Sequence, residues 1–224
     1  KRPIVKWREL ENQQVSKEHF DRWFGPNGEH LRRQNIGIIC GKASSRIFIV
    51  DLDLHKNVQA KAWWQSVVDK QRRAGDLETV WQTTGGGGIQ LLFRAPESWT
   101  PPTIKTSIGV DIRGQGGFAI LPPSLHESGR RYEWAEGHEP WNFEIADAPD
   151  WLCEEIDALA RNYGNLTQTD PVTRTESPAH QFNEFGLIVD GREDLAAKIV
   201  WACIVDLYRD APIRPPPSEL DLNL

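Results

Sequence analysis

Two carboxylates spaced two residues apart are the first feature of this chain that could do chemistry. Asp51 and Asp53 follow a short β-branched and aromatic run at residues 46–50, and residues two apart in an extended chain project to the same side. Two such like charges favour a shared cation, and hard oxygen ligands suit Mg²⁺ or Mn²⁺. A D-x-D pair also occurs as two solvated acids in a loop, so the surrounding motifs must decide between a metal site and a solvated pair.

A third carboxylate lies in GVDIRG at residues 109–114, where Asp111 and Arg113 again sit two apart. In a strand they share one face, so Asp111 could complete a metal site begun by Asp51 and Asp53. The Arg113 guanidinium could hold a triphosphate with two hydrogen bonds. The simpler interpretation is an Asp–Arg ion pair of small energetic value.

A run of four glycines, in TTGGGGIQLLF at residues 83–93, is costly in chain entropy. It favours a turn whose backbone approaches a ligand closely and offers N–H groups to an anion. No Lys-Ser/Thr follows, so this is not a Walker loop, and a flexible hairpin connection is the alternative. The predicted contacts are Thr84, Gly85, Gly86, Gly87 and Gly88, with Gln90, the lone polar residue of the next strand, facing the site.

A rigid turn, PPSLH at residues 122–126, ends with the hydroxyl of Ser124 and the imidazole of His126. His126 could meet a phosphate or a metal, although a lone histidine is more often structural.

The charge of the chain is divided unevenly. The net charge is −6, but residues 1–135 hold 20 Lys+Arg against 14 Asp+Glu, and residues 136–224 hold 6 against 18. The first part is basic enough to attract polyphosphate, and the acidic remainder indicates a separate segment that faces a partner or masks the first. Two solvated surfaces of opposite sign remain the alternative.

Hydrophobic periodicity predicts a mixed α/β fold. We expect residues 46–50 to be a central strand buried on both faces, and Trp63 and Trp64 to be core residues of a helix at 58–73. The other predicted elements are a helix capped by Ser16 and ending near residue 24, strands at 35–41, 78–83 and 118–121, a hairpin loop at 42–45, and helices at 150–163 and 191–209.

Several classes of protein are disfavoured. No apolar run reaches 18 residues, so no membrane segment is expected. Cys40, Cys153 and Cys203 lie far apart, which predicts neither a disulfide framework nor a zinc knuckle. The chain begins at Lys1 and contains no methionine, and it lacks a signal-peptide pattern; we expect a piece of a larger cytoplasmic protein.

In this order, Asp51-Leu52-Asp53, the TTGGGG turn and GVDIRGQGGFAILPPSLH-x-SG resemble the primase–polymerase family of the archaeo-eukaryotic primase superfamily. Its members are replication proteins of plasmids, phages and mobile elements. The resemblance covers residues 1–132. It implies an α+β fold with an RRM-like catalytic sheet flanked by helices, here followed by a C-terminal helical segment.

The resemblance also implies a site and a reaction. Asp51, Asp53 and Asp111 match the acids that bind two divalent ions, Mg²⁺ or Mn²⁺, for template-dependent nucleotidyl transfer. Gln90 stands where the family has a histidine that touches the phosphates of the incoming nucleotide. An amide can donate a hydrogen bond but carries no charge, so Arg113 and His126 could share that task.

Further expectations concern partners and domains. The substrates would be (d)NTPs with a single-stranded DNA template and a primer, and a helicase or other replication domain would belong to the full-length protein. The expected organisation is an N-terminally truncated catalytic domain at 1–163, a linker at 164–185 and the start of a helical accessory domain at 186–224. Cations that could follow nucleic-acid phosphates are Lys42, Arg46, Arg94 and Lys105.

Two other functions stay open. A catalytically weak module that binds nucleotide or single-stranded DNA would keep the fold and the glycines, and Gln90 favours it. A metal-dependent glycosyltransferase would explain the D-x-D pair, but it leaves GVDIRG and PPSLH without a role.

Overall fold

The computed structural model describes residues 2–3, 8–13, 16–24, 35–55, 57–71, 77–165 and 198–201. These residues form a mixed α/β fold, which confirms the predicted class. The described helices are α1 (Lys17–Phe24), α2 (Val58–Gln71) and α3 (Asp150–Tyr163). The described strands are β1 (Arg2–Pro3), β2 (Asn35–Ile39), β3 (Ile47–Leu52), β4 (Trp81–Thr83), β5 (Ile89–Arg94), β6 (Lys105–Thr106), β7 (Val110–Arg113), β8 (Phe118–Leu121), β9 (Glu133–Trp134), β10 (Gly164–Asn165) and β11 (Lys198–Trp201).

The central sheet is antiparallel and has the strand order β7-β3-β5-β4-β9. Strand β3 lies inside it, and Ile47, Phe48, Ile49 and Val50 are all fully buried. This confirms the strand predicted from the continuous apolar run, because a strand covered on both faces needs apolar side chains at every position.

Strand β3 packs against a different layer on each face. Phe48, Val50 and Leu52 belong to a core with residues of helices α2 and α3, such as Val67 and Ile156. Ile47 and Ile49 belong to a second core with residues of β2 and β8. The paired tryptophans Trp63 and Trp64 pack on the first core, as predicted. Asp51 follows Ile47 and Ile49 on the face towards β8, because side chains alternate along a strand.

The second sheet has the order β1-β11-β2-β8, with β11 parallel to both of its neighbours. The helix predicted at residues 191–209 is therefore wrong at Lys198–Trp201. The run Ile199-Val200-Trp201 is β-branched and aromatic, and pairing with β2 lets this strand preference prevail over the helical spacing. The other residues of that predicted helix lie outside the described ranges, and the division into domains stays a prediction.

The connection between β2 and β3 also differs from expectation. The predicted hairpin loop is a one-turn 3-10 helix (Lys42–Ser44), and the two strands enter different sheets, joined by a single bridge between Gly41 and Ile47. Gly41, Ser45 and Arg46 all have positive φ angles, of 93°, 54° and 67°. These left-handed residues turn the chain sharply from one sheet into the other.

The remaining helices agree with the sequence. Helix α1 begins after Ser16, whose hydroxyl accepts a hydrogen bond from the backbone N–H of His19. Helix α2 covers the described part of the predicted 58–73 segment, and α3 has the predicted bounds. The start of the predicted linker is ordered, because β10 pairs with β6 in an antiparallel manner. Among the described helices, each is too short or too polar to cross a bilayer.

Candidate active site

A cavity of about 550 Å³ opens where the core between the two sheets ends. Its wall includes the end of β3, the turn between β4 and β5, the segment before β7, and strand β8. The predicted site residues that line it are Asp51, Asp53, Thr84, Gly86, Gly88, Gln90, Lys105, Asp111, Arg113 and His126. The fold thus brings the three separate sequence motifs to one cavity.

A row of polar side chains crosses the central sheet at this cavity. Asp111 on β7 lies opposite Asp51 on β3, Asp51 lies opposite Gln90 on β5, and Gln90 lies opposite Gln82 on β4. Residues directly opposite one another share a face and lie about 4.5–5.5 Å apart at their β-carbons. The antiparallel register therefore places two carboxylates and two amides side by side.

The guanidinium of Arg113 bridges the two carboxylates. One nitrogen, Nη2, lies 3.1 Å from Oδ2 of Asp51 and 3.0 Å from Oδ2 of Asp111. The other oxygen of Asp111, Oδ1, accepts the backbone N–H of Thr106 at 3.1 Å. The side chains of Asp51 and Asp111 are only 18% and 15% exposed. The carboxylate pair is thus held by one shared cationic group, which confirms that Asp111 and Arg113 project to the same face.

Burial raises the pKa of the Asp51 carboxyl above its ordinary value. Arg113 opposes this shift by its charge and its hydrogen bond, and the Gln90 amide opposes it by a hydrogen bond, while Asp111 adds to it by repulsion. Loss of hydration outweighs the two donors. A further cation that approaches from the cavity would therefore stabilise the ionised form of the Asp51 carboxylate.

Asp53 stands just beyond the end of β3 and is fixed through its backbone. Its N–H donates to the carbonyl oxygen of Gly109 at 2.8 Å. Gly109 has a φ angle of +76°, and a β-carbon there would lie 2.8 Å from Cβ of Asn57. This close approach of two loops, which glycine permits, sets the backbone of Asp53 against the segment that leads into Asp111.

The donor set suits a hard divalent cation, because Asp51, Asp53 and Asp111 line one cavity and Asp51 and Asp111 already share a cationic group. Within the described ranges, however, no three His, Cys, Asp or Glu side chains form a ready-made metal cluster. The Arg113 guanidinium occupies the position between Asp51 and Asp111, where these two carboxylates share a cationic group.

The glycine run is a structured turn rather than a flexible connection. The N–H of Thr84 donates to the carbonyl of Gly88, the N–H of Gly87 donates to the carbonyl of Thr84, and the N–H of Gly88 donates to the Thr84 hydroxyl. A β-carbon on Gly88 would lie 2.7 Å from the carbonyl oxygen of Leu52. The turn uses the N–H groups of Gly87 and Gly88 itself, and Gly85 is buried and does not line the cavity, so Gly86 is the glycine left as an expected anion contact.

His126 lies against this turn. The backbone N–H of Ser128 donates to Nδ1 of His126 at 3.1 Å, and the Ser128 hydroxyl donates to the carbonyl of Gly85 at 2.8 Å. A backbone N–H can only donate, so Nδ1 is an acceptor and the ring proton of the neutral imidazole sits on Nε2. A β-carbon on Gly86 would lie 3.6 Å from Nε2. His126 thus presents an N–H donor beside the turn.

A family model described as "Bifunctional DNA primase/polymerase, N-terminal" matches residues 1–151, well over half of the 224-residue chain. The chain belongs to this family. No curated protein matches it in sequence. Membership in the bifunctional primase/polymerase family indicates a primase/polymerase-type activity with nucleic acid as its substrate class, in a family that generally uses divalent metal ions.

Two residues at predicted nucleotide-contact positions of this primase/polymerase domain have partners within the protein. The Gln90 amide is buried and accepts a hydrogen bond from Nε2 of Gln82. The Ser124 hydroxyl donates to the carbonyl of Ile36 and accepts its N–H. Ser124 therefore joins the 122–126 turn to β2, which is a structural task.

The predicted nucleic-acid cations differ in their surroundings. Arg46 pairs with Glu97 at 2.8 Å, and Arg94 pairs weakly with Asp147 at 3.5 Å. Lys105 lines the cavity, and its side chain is exposed. Lys42 is exposed on the 3-10 turn. Lys105 is the member of this set that the fold brings to the rim of the site.

Sequence reasoning missed several residues of the cavity and its support, among them Gln82, Asn57, Thr106 and Tyr132. Burial, with the negative charges of Asp51 and Glu127, raises the pKa of Tyr132 to about 12, so this phenol stays neutral beside the carboxylates. None of these residues lies in a recognisable motif. The polar Gln82 between Trp81 and Thr83 of a strand was the one available signal, since a buried strand rarely contains an amide without a partner.

Proposed function

We propose that this domain catalyses template-dependent nucleotidyl transfer, as a DNA primase/polymerase, with two divalent cations held by Asp51, Asp53 and Asp111. The observation that carries the proposal is the register that sets Asp51 and Asp111 opposite each other, with Asp53 on the same cavity wall. Burial of two carboxylates that share one guanidinium contributes little to the stability of the fold, so their presence indicates a function. The family match supports the same reaction class.

The three aspartates would hold Mg²⁺ or Mn²⁺, which suit carboxylate oxygens combined with substrate phosphates. When bound, such ions lower the pKa of an attacking 3′-hydroxyl and neutralise the leaving pyrophosphate. The residues of the chain supply position. The backbone N–H of Thr106 holds Oδ1 of Asp111, and the Gly109 carbonyl holds the backbone of Asp53, so the Asp111 carboxylate and the main chain of Asp53 are in place before substrate arrives.

The triphosphate of a nucleotide would lie between the carboxylates and the glycine turn. Gly86 lets the backbone approach it, His126 offers the Nε2 proton, and Lys105 adds a positive charge at the rim. Arg113 lines the same cavity, and its planar donor set would suit a phosphate of the nucleotide.

A second candidate is a module that binds nucleotide or single-stranded DNA without turnover. The observation that favours it is the Arg113 bridge, which gives Asp51 and Asp111 a cationic partner other than a metal ion, together with the lack of a ready-made ligand cluster in the described ranges. The glycosyltransferase interpretation has no comparable support, since the family match over residues 1–151 points to a different reaction.

The deciding experiment measures nucleotide incorporation on single-stranded and primed DNA templates with Mg²⁺ or Mn²⁺. We expect incorporation by the native chain and none by Asp51→Ala or Asp111→Ala, with folding checked by circular dichroism. Asp147→Asn is the matched control, because this carboxylate is 79% exposed and away from the cavity. Incorporation that survives in both cavity variants would refute the assignment.

A folded native chain that incorporates nothing would favour the binding module. Gln90→His then separates two causes, because it restores the imidazole of the family motif. Activity gained by this variant would trace the loss to Gln90, whereas continued inactivity with measurable nucleotide binding would establish the module.

A further inference from the structure

The polar row across the sheet ends in a buried pair of amides that the proposed reaction does not explain. Gln82 is fully buried, and Gln90 is 6% exposed. Nε2 of Gln82 donates to Oε1 of Gln90 and to the carbonyl oxygen of Ile120, the latter at 2.7 Å. Both N–H bonds of the Gln82 amide are therefore used, one by the Ile120 carbonyl on β8 of the second sheet and one by Gln90.

This arrangement determines which end of Gln90 faces Asp51. Because Oε1 of Gln90 accepts from Gln82, its NH₂ group is left for the carboxylate on the other side, with which it hydrogen bonds. The opposite orientation would set the carbonyl oxygen of Gln90 against the Asp51 carboxylate, two acceptors with no proton between them. The Ile120 carbonyl keeps Gln82 from turning over, since a turned amide would offer it an oxygen.

The pair is retained at a cost. Oε1 of Gln82 is buried and finds no hydrogen-bond donor among the described residues. An orphaned buried acceptor is unfavourable and rare, so a structure that contains one needs another reason for it. An apolar side chain at position 82 would avoid the orphan but would leave Gln90 free to turn.

We propose that Gln82 and Gln90 are positioning residues, in which Gln82 fixes the orientation of the Gln90 amide and Gln90 fixes the Asp51 carboxylate for metal binding. This inference rests on the proposed function, because it assigns Asp51 as a metal ligand. It gives Gln90 a different role from the predicted phosphate contact: its acceptor end is taken by Gln82, and its donor end is directed at Asp51. Partners of a ligand's outer side commonly change metal affinity 10- to 100-fold.

The test compares Gln82→Met, which removes the donors at similar length, with Gln82→Glu, which offers only acceptors and so draws the NH₂ of Gln90 away from Asp51. Gln65→Met, on the exposed side of α2, is the control. Mn²⁺ affinity is measured by electron paramagnetic resonance on the full chain without nucleotide, alongside kcat and KM for nucleotide and the melting temperature.

We expect Mn²⁺ binding to weaken about tenfold in Gln82→Met and further in Gln82→Glu, with kcat lowered and KM for nucleotide within about twofold of the native value. If Gln82→Glu does not fold, Gln82→Met and Gln90→Asn decide alone. Variants that lose melting temperature but keep native Mn²⁺ affinity would overturn the inference. So would a Gln90→Asn variant that raises KM for nucleotide and leaves Mn²⁺ affinity unchanged, because Gln90 would then be a phosphate contact.

The two proposals fail separately. A native chain that incorporates no nucleotide but binds Mn²⁺, with weaker binding in the Gln82 variants, would sink the polymerase assignment and sustain the positioning role. An active native chain whose Mn²⁺ affinity is unaffected by either Gln82 variant would sustain the polymerase assignment and overturn the positioning role. A folded native chain that binds no Mn²⁺ would overturn both.

Discussion

Removal of the Arg113 guanidinium should destabilise the protein in proportion to the charge on two carboxylates. In Arg113→Ala, Asp51 and Asp111 lose the nitrogen that they share, while both remain mostly shielded from water. Their repulsion is then compensated neither by a partner nor by full hydration. The loss should be large at neutral pH and smaller in acid, where protonation of Asp51 removes one of the two charges.

The distances set the size of the effect. Since one nitrogen touches both oxygens at 3.1 and 3.0 Å, these oxygens lie at most about 6 Å apart. At an effective dielectric constant of about 20, two unit charges at that separation repel by about 3 kcal/mol. Protonation of one carboxylate limits the penalty at lower pH. The raised pKa of Asp51 lets this carboxyl accept a proton at a higher pH than an ordinary aspartate.

Urea unfolding at pH 7 and at pH 4 gives the free energies, with Arg94→Ala as the control. Arg94 contacts Asp147 at 3.5 Å in an exposed pair, so its removal should cost less than about 1 kcal/mol at either pH. In an Asp111→Asn background the cost of Arg113→Ala should fall sharply, because one of the two charges is gone. Added Mg²⁺ or Mn²⁺ should stabilise Arg113→Ala more than the native chain. An Arg113→Ala penalty independent of pH and of residue 111 would refute this electrostatic account.

Two further predictions concern the same cavity. Asp51→Asn should raise the free energy of unfolding at pH 7 by about 0.5–2 kcal/mol while abolishing activity, since burial makes the ionised carboxyl costly in the folded state. The folded pKa of Asp51 lies above its unfolded pKa, so the gain should begin to shrink as the pH falls through the folded pKa and should vanish below the unfolded pKa, where Asp51 is neutral in both states. A gain that persists unchanged in acid would contradict this. Gly88→Ala should lower the melting temperature, because its β-carbon would meet the Leu52 carbonyl at 2.7 Å, whereas Gly86→Ala, with its nearest contact at 3.6 Å, should fold normally and weaken nucleotide binding. Equal melting temperatures for the two glycine variants would show that the turn yields without cost.

Much of the fold followed from local pattern. The β-branched run of β3, the helical spacing of α2 and α3 and the Ser16 cap each act within a few residues, and each element formed where it was expected. The strand at Lys198–Trp201 was not predicted, because its conformation depends on pairing with β2, which lies far away in the chain. The hairpin predicted at 42–45 was wrong for a similar reason. Which sheet the strands β2 and β3 join depends on their partner strands, and those lie outside the loop.

The sequence by itself determined which groups could do chemistry: three aspartates, a guanidinium and a glycine turn. For the aspartates and the guanidinium, the spacing of two residues also determined which side chains share a face of a strand. Only the tertiary structure decided how these groups meet. The antiparallel register placed Asp111 and Gln90 on either side of Asp51, and it put Gln82, which belongs to no motif, at the end of the same row. Side-chain alternation is a local property of a strand, whereas register depends on contacts between distant strands. The three aspartates, Arg113 and Gln90 could therefore be named as candidates from the sequence, whereas their contacts with one another and the involvement of Gln82 could not.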